Sequence, residues 1–66
     1  MSYPPRFVRE RYGLTQAQFA AWIGVPVETW REWELGSIRP DPAVNPLLTL
    51  LAREPEAARR SLGSAA

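Results

Sequence analysis

Glycines and prolines divide this chain into segments that are each short enough for only a small helix. Gly13, Gly24, Gly36 and Gly63 punctuate the sequence, and prolines open most of the stretches between them. Glycine just past a helix and proline in its first turn are the usual marks of helix ends. No segment alternates apolar and polar residues as a strand does. The pattern predicts an all-α fold, a compact bundle of about five short helices.

The second and third helices have the clearest boundaries. The Thr15 side chain can cap the second helix, and Gln18, three positions on, completes a capping-box pattern. Gly24 ends this helix. Pro26 is expected to start the third helix, because its missing N–H costs little in a first turn, and Gly36 ends it.

The start of the fourth helix is ambiguous. The connection SIRPDPAVNP carries three prolines in seven residues and leads into a leucine-rich stretch. Asp41 or Asn45 could each cap the helix, with the following proline as its first residue. The earlier start would place Pro46 where its ring clashes with the carbonyl four residues back, so Asn45 is favoured.

The two ends complete one small domain. The first helix is expected from the Pro4–Pro5 pair to about Tyr12, and the last over residues 55–62. Residues 1–63 are therefore expected to form a single domain, with 64–66 as a frayed tail.

Composition excludes several classes of function. The chain has no cysteine and no histidine, which removes disulfides, structural zinc sites and histidine-based catalysis. A 66-residue chain is also too small for most enzyme architectures. We therefore expect no enzyme, no metal and no cofactor. Without a membrane-spanning run or a signal-peptide pattern, a soluble cytoplasmic protein with no membrane partner is expected. The net charge of +1 argues neither for nor against DNA.

Residues 15–35 have the pattern of two short helices that cross closely. Such a crossing needs a small residue where the backbones approach and a glycine where the chain reverses, and Ala20 and Gly24 meet these needs. Apolar contacts are expected from Phe19, Ile23, Val25, Trp30 and Trp33. A helix-turn-helix is favoured over an ordinary helical hairpin, which fits the same apolar spacing.

A family resemblance is carried by the stretch LTQAQFAAWIGVPVETWREWELGSIRP. It resembles the Cro/CI (Xre-type) helix-turn-helix domains, over about Val8 to Arg53. The WELG ending, the Arg-Pro pair and the LLTLLAREPEA stretch look like small antitoxin-type members encoded beside toxin genes. The resemblance implies a lambda-repressor-like bundle in which residues 26–35 lie in the major groove of double-stranded DNA and the start of the second helix abuts a phosphate.

The resemblance also implies DNA contacts. Gln16 and Arg39 match positions near backbone phosphate, and an exposed location of Gln16 in the first turn of its helix suits that role. The alternatives are that Gln16 is simply solvated and that Arg39 forms an ion pair or caps a helix. The base-reading positions correspond to Val27, Glu28, Thr29 and Glu32. Two carboxylates are unusual there because they repel phosphate, but they can accept hydrogen bonds from cytosine N4, and Val27 can pack on a thymine methyl. Solvation or a protein-binding face is the alternative for both glutamates.

Arg9 and Glu34 match a family pair that links the first and third helices, and a structural ion pair is expected between them. Trp30 and Trp33 share the inward side of their helix and are expected in the core rather than as a stacking platform. An exposed Trp22 would indicate a partner surface. The leucines of the fourth helix cover more than one face, which favours a homodimer.

These observations predict a dimeric DNA-binding transcriptional regulator that represses its own promoter. The alternative from another class is an antitoxin-type interaction module that neutralises a toxin protein, with DNA binding secondary. A third interpretation is a piece of a longer regulator.

Overall fold

The computed structural model describes residues 3–63, and within them it has the predicted all-α architecture of five helices and no strand. A short 3₁₀ helix at Pro42–Val44 joins the third helix to the fourth. The α-helices are α1 (Pro5–Glu10), α2 (Gln16–Ile23), α3 (Val27–Leu35), α4 (Asn45–Arg53) and α5 (Pro55–Leu62). The tail predicted at 64–66 lies outside the described residues.

The predicted capping box starts α2. The Gln18 N–H donates to Thr15 Oγ1 at 3.1 Å, and the Gln18 side chain accepts from the Thr15 N–H at 3.0 Å. At the other end Gly24 has a φ of 78°, in the left-handed region. This conformation lets the Val25 N–H turn back to the Ala20 carbonyl at 2.9 Å, which closes the helix end.

Two boundaries differ slightly from the sequence-based expectation. The first helix ends at Glu10 rather than near Tyr12. The next residues wind more tightly, with the Tyr12 N–H donating to the Arg9 carbonyl three residues back at 2.9 Å, so the last turn is of the 3₁₀ type. Pro26 is the residue just before α3 rather than its first helical residue.

Both candidate starts for the fourth helix are used. Asp41 accepts a hydrogen bond from the Ala43 N–H at 2.9 Å and begins the 3₁₀ helix. The α-helix itself then starts at Asn45, with Pro46 in its first turn. The prediction of Asn45 is confirmed to within one residue, since Asn45 is the first helical residue and not the cap. Two Asx-Pro pairs in succession therefore initiate two consecutive turns.

The core lies between all five helices. Trp30, the largest buried side chain, contacts Phe19 with a ring-centroid distance of 4.9 Å and Trp33 at 5.7 Å. Trp30 is thus a core residue, as predicted, and Trp33 is half-buried beside it. The fully or nearly fully buried set is Val8, Phe19, Ala20, Trp30, Leu48, Leu51, Ala52 and Ala58.

Polar contacts tie α4 and α5 to α2 and to the turn that precedes it. The Tyr12 hydroxyl donates to the Leu51 carbonyl at 2.6 Å, and the Arg59 guanidinium lies over the Tyr12 ring at 4.9 Å. Trp22 is half-buried, and its indole N–H donates to the Gly63 carbonyl at 3.1 Å. Trp22 therefore fastens the end of α5 to α2 instead of standing free. None of the helices in residues 3–63 has the length and apolar character that a membrane crossing requires.

Gly24→Ala is expected to destabilise the fold by about 1–2 kcal/mol, because an L-residue resists the left-handed conformation. A Cβ built at this position meets no atom within 4 Å, so the cost is one of backbone conformation alone. Gly24→Asn is the matched control, since asparagine adopts this region more readily and should lose less. Urea unfolding measures both variants, and equal losses would contradict the explanation.

Candidate nucleic-acid interface

A buried carboxylate joins three helices where α1, α2 and α3 meet. The Glu34 side chain, near the end of α3, is only 1% exposed. Arg9 of α1 grips it with two hydrogen bonds, from Nε at 2.6 Å and from Nη2 at 3.0 Å. Gln16 of α2 donates to the same carboxylate at 3.2 Å, and the Trp30 indole N–H also donates to it. One side chain therefore fixes the relative positions of all three helices.

The remaining Arg9 donor extends this cluster to the connection between α1 and α2. Arg9 Nη1 donates to the Leu14 carbonyl at 2.8 Å. A guanidinium that satisfies a carboxylate and a carbonyl together holds one geometry, because its donors are fixed in a plane. The Arg9–Glu34 contact is bidentate, which is the strong form of such a pair.

The hydrogen bonds around Glu34 set its charge state. Burial acts to raise the pKa of Glu34, but hydrogen bonds from Arg9, Gln16 and Trp30, together with the charge of Arg9, hold that pKa below its ordinary value of 4.5. The hydrogen bond to Glu34 in turn raises the pKa of Arg9. The pair is therefore ionised at neutral pH.

Gln16 is not the exposed side chain that the sequence suggested. It is half-buried, and one amide N–H is engaged by Glu34. Tertiary packing explains this difference, because the start of α2 lies beside the end of α3, where the Glu34 carboxylate accepts a hydrogen bond from Gln16. Gln16 is also the first residue of α2. Within residues 3–63, its backbone N–H and that of Ala17 make no hydrogen bond, as is usual for the first turn of a helix.

The outer face of α3 carries the residues that the resemblance assigns to base reading. Glu28 and Glu32 are exposed and lie one turn apart, with exposed Arg31 beside them. Val27 and Thr29 are half-buried, and Val27 packs against the core. The accessible face is thus mainly acidic, as the sequence predicts.

Arg39 lies apart from this face, in the loop that follows α3. Its side chain is exposed and borders a small cleft formed with Pro40, Pro42 and Asn45. Among the described residues it takes part in no ion pair and caps no helix. Its guanidinium is therefore available to a ligand.

Sequence reasoning missed part of the Glu34 cluster. Trp30 precedes Glu34 by four residues on the same helix, a spacing that brings side chains together and could have predicted their contact. Arg6 was also missed. Its Nε lies 3.5 Å from Glu34 Oε1 while its side chain remains 66% exposed, and it lies one turn before Arg9, on the same side of α1.

Comparison with protein families agrees with this geometry. The family model described as "Helix-turn-helix domain" matches residues 6–62. The chain belongs to this family. The matched residues include nearly all of the five helices, and membership of the family supports DNA binding as the activity of the domain. Searches of curated proteins and of solved structures found no match.

A double-mutant cycle should reveal strong coupling between Arg9 and Glu34. Glu34→Ala should lower the free energy of unfolding by roughly 3 kcal/mol, because it leaves a partly buried guanidinium without its partner. Arg9→Ala should cost a similar amount, and the double variant should lose at least about 1 kcal/mol less than the sum. Urea unfolding gives all four free energies.

Glu56 and Arg60 on α5 supply the control cycle. Both are exposed and lie four residues apart, so their coupling should stay below about 0.5 kcal/mol. Coupling of Arg9 and Glu34 no larger than that would show that the cluster does not hold the helices together.

Acid should weaken the fold through Glu34. Since the pKa of Glu34 is lower in the folded chain than its ordinary value of 4.5, the stabilisation is fully present above that value and is lost as the pH falls through the folded-state pKa. Urea unfolding at several pH values should show this decline. Glu34→Gln does not titrate at this site, so its unfolding free energy should fall less between about pH 5 and 3. If the unfolding free energies of the wild type and Glu34→Gln declined identically with acid, Glu34 would not be the titrating group.

Proposed function

We propose that this protein is a Cro/CI (Xre-type) transcriptional regulator that binds double-stranded DNA as a homodimer and represses its own promoter. The observation that carries this proposal is the pair α2 and α3, locked by the Glu34 cluster in a chain of the helix-turn-helix family. Such a pair can place its second helix in the major groove, which is wide enough for an α-helix.

In the proposed complex the start of α2 faces a phosphate of the DNA backbone. The free N–H groups of Gln16 and Ala17 support this orientation, because the N-terminal end of a helix attracts anions. The Gln16 amide still has a second N–H for the same phosphate. Arg39, exposed and unpaired among the described residues, would neutralise another phosphate.

The acidic face of α3 gives the proposed interface an unusual balance of affinity and specificity. Glu28 and Glu32 repel phosphate whatever the base sequence, so they lower binding to all DNA. A hydrogen bond from a cytosine N4 amino group offsets part of that loss, but only where the DNA sequence places a cytosine opposite the glutamate. Together with Val27 and Thr29 at the neighbouring base-reading positions, the two glutamates would favour cytosine-containing half-sites over random DNA.

The homodimer is proposed to form through α4. Leu50 is 40% exposed and lies in a shallow groove with Pro46, Thr49 and Arg53. A second copy related by a two-fold axis would cover this leucine. Two-fold symmetry then calls for an inverted-repeat operator with half-sites about one helical turn apart, roughly 34 Å.

An antitoxin-type module remains the second candidate because of exposed apolar side chains at and just after the end of α3. Leu35 is 77% exposed and Ile38 is 51% exposed, on either side of Gly36. Large exposed apolar residues suit a protein partner better than they suit phosphate. A toxin bound there would cover the end of α3, so that DNA binding would be secondary.

Binding to the duplex upstream of its own gene should distinguish the two candidates. Fluorescence anisotropy between about 50 and 200 mM salt should show a preference over a scrambled duplex and a steep loss of affinity with salt, since several phosphates are contacted. Absence of binding at the lowest salt would overturn the DNA-binding proposal and favour the antitoxin module.

Four single variants refine the same measurement. Gln16→Ala and Arg39→Ala should weaken binding to both duplexes, whereas Glu28→Ala and Glu32→Ala should reduce the preference between them and raise binding to the scrambled one. Gln16→Ala also removes the hydrogen bond to Glu34. Thermal unfolding of this variant therefore shows whether its weaker DNA binding follows from lost stability. If none of the four changes DNA affinity, the proposed docking is wrong.

A further inference from the structure

We propose that Arg6 is an additional phosphate-binding side chain, held beside Gln16 by the Glu34 carboxylate. The proposal rests on the proposed function, because it takes the start of α2 as the part of the domain that faces the DNA backbone. Neither the helix-turn-helix pattern nor the family match assigns a role to Arg6.

Geometry places Arg6 at the edge of the candidate interface. Arg6 Nε lies 3.5 Å from Glu34 Oε1, and Gln16 Nε2 lies 3.2 Å from the same oxygen atom. The two side chains therefore approach each other across one carboxylate oxygen, although they come from α1 and α2. A phosphate that reached the Gln16 amide would be within reach of the Arg6 guanidinium.

The positive charge of Arg6 is not neutralised within the cluster. Arg9 neutralises Glu34 through a bidentate pair, and the Arg9 side chain is only 17% exposed. Arg6 touches the carboxylate through Nε alone, at a longer distance, with 66% of its side chain exposed. Water screens an arginine that is this exposed, so its contact with Glu34 is weaker than the bidentate contact of the more buried Arg9. Arg6 can thus turn its remaining N–H donors to a phosphate while Glu34 stays fully bonded.

Two other arginines near α1 are occupied by aromatic rings. The Arg11 guanidinium lies over the Phe7 ring at 5.7 Å, and that of Arg59 lies over the Tyr12 ring at 4.9 Å. Arg6 has no such contact among the described residues. Its exposure and its place beside Gln16 distinguish it as the arginine of α1 that is free to meet DNA.

Arg6→Gln tests this proposal against a matched control. Glutamine keeps hydrogen-bond donors but removes the charge, so the slope of log affinity against log salt should become shallower by about 1 for operator and scrambled duplex alike. Arg60→Gln makes the same charge change at an exposed position of α5, a helix that packs against α4, and should leave the slope nearly unchanged. Arg6→Lys keeps the charge and should retain the wild-type slope.

The outcomes separate this proposal from the proposed function. If the wild-type chain binds DNA but Arg6→Gln and Arg60→Gln change the slope equally, Arg6 is no phosphate ligand while the regulator stands. If the wild-type chain binds no duplex, the proposed function itself fails, and the role of Arg6 with it. Thermal unfolding of Arg6→Gln should match that of the wild type, and a slope change that merely followed lost stability would also overturn the proposal.

Discussion

The arrangement of the helices depends on the hydrogen bonds to a single buried carboxylate. Glu34 receives donors from α1, α2 and its own helix, and its charge is balanced by Arg9. A buried charge is costly unless it is paired and fully hydrogen-bonded. The chain meets this condition only when the three helices take the observed positions, so the carboxylate favours one packing of short helices that could otherwise slide.

Polar and apolar stabilisation meet in Trp30. Its ring lies at the centre of the core beside Phe19, while its indole N–H donates to Glu34. A small domain buries a limited fraction of its surface, so a side chain that fills the core and also satisfies a buried acceptor is an economical solution. The angle between α2 and α3 is thus set from two sides, by packing against Trp30 and by the turn at Gly24.

Features that depend on neighbouring residues could be predicted from the sequence. Thr15, Gln18 and Gly24 specify the ends of α2 through contacts within a few positions, and these ends are confirmed. The fourth helix was harder, because Asp41-Pro42 and Asn45-Pro46 are both valid starts and the chain uses both.

Contacts between distant segments could not be read in this way. The bond from Trp22 to Gly63 spans 41 positions, and the engagement of Gln16 by Glu34 spans 18. Periodicity shows which face of a helix is apolar, but not which polar group on a second helix will lie opposite. The candidate DNA contacts also depend on a molecule outside the chain. Residue type and exposure therefore show which side chains can reach DNA, but not which of them do.

The charges around the candidate interface suggest a division of tasks. The exposed Arg6 lies near the start of α2 and the exposed Arg39 follows α3, while Glu28 and Glu32 lie on the outer face of α3 between them in sequence. The two arginines would attract phosphate in any duplex and so supply affinity. The two glutamates would lower that affinity at sites where no cytosine N4 amino group donates a hydrogen bond to them. Under the proposed function, a chain with a net charge of only +1 would discriminate between DNA sequences in this way, because repulsion from the wrong site contributes to specificity as well as attraction to the right one.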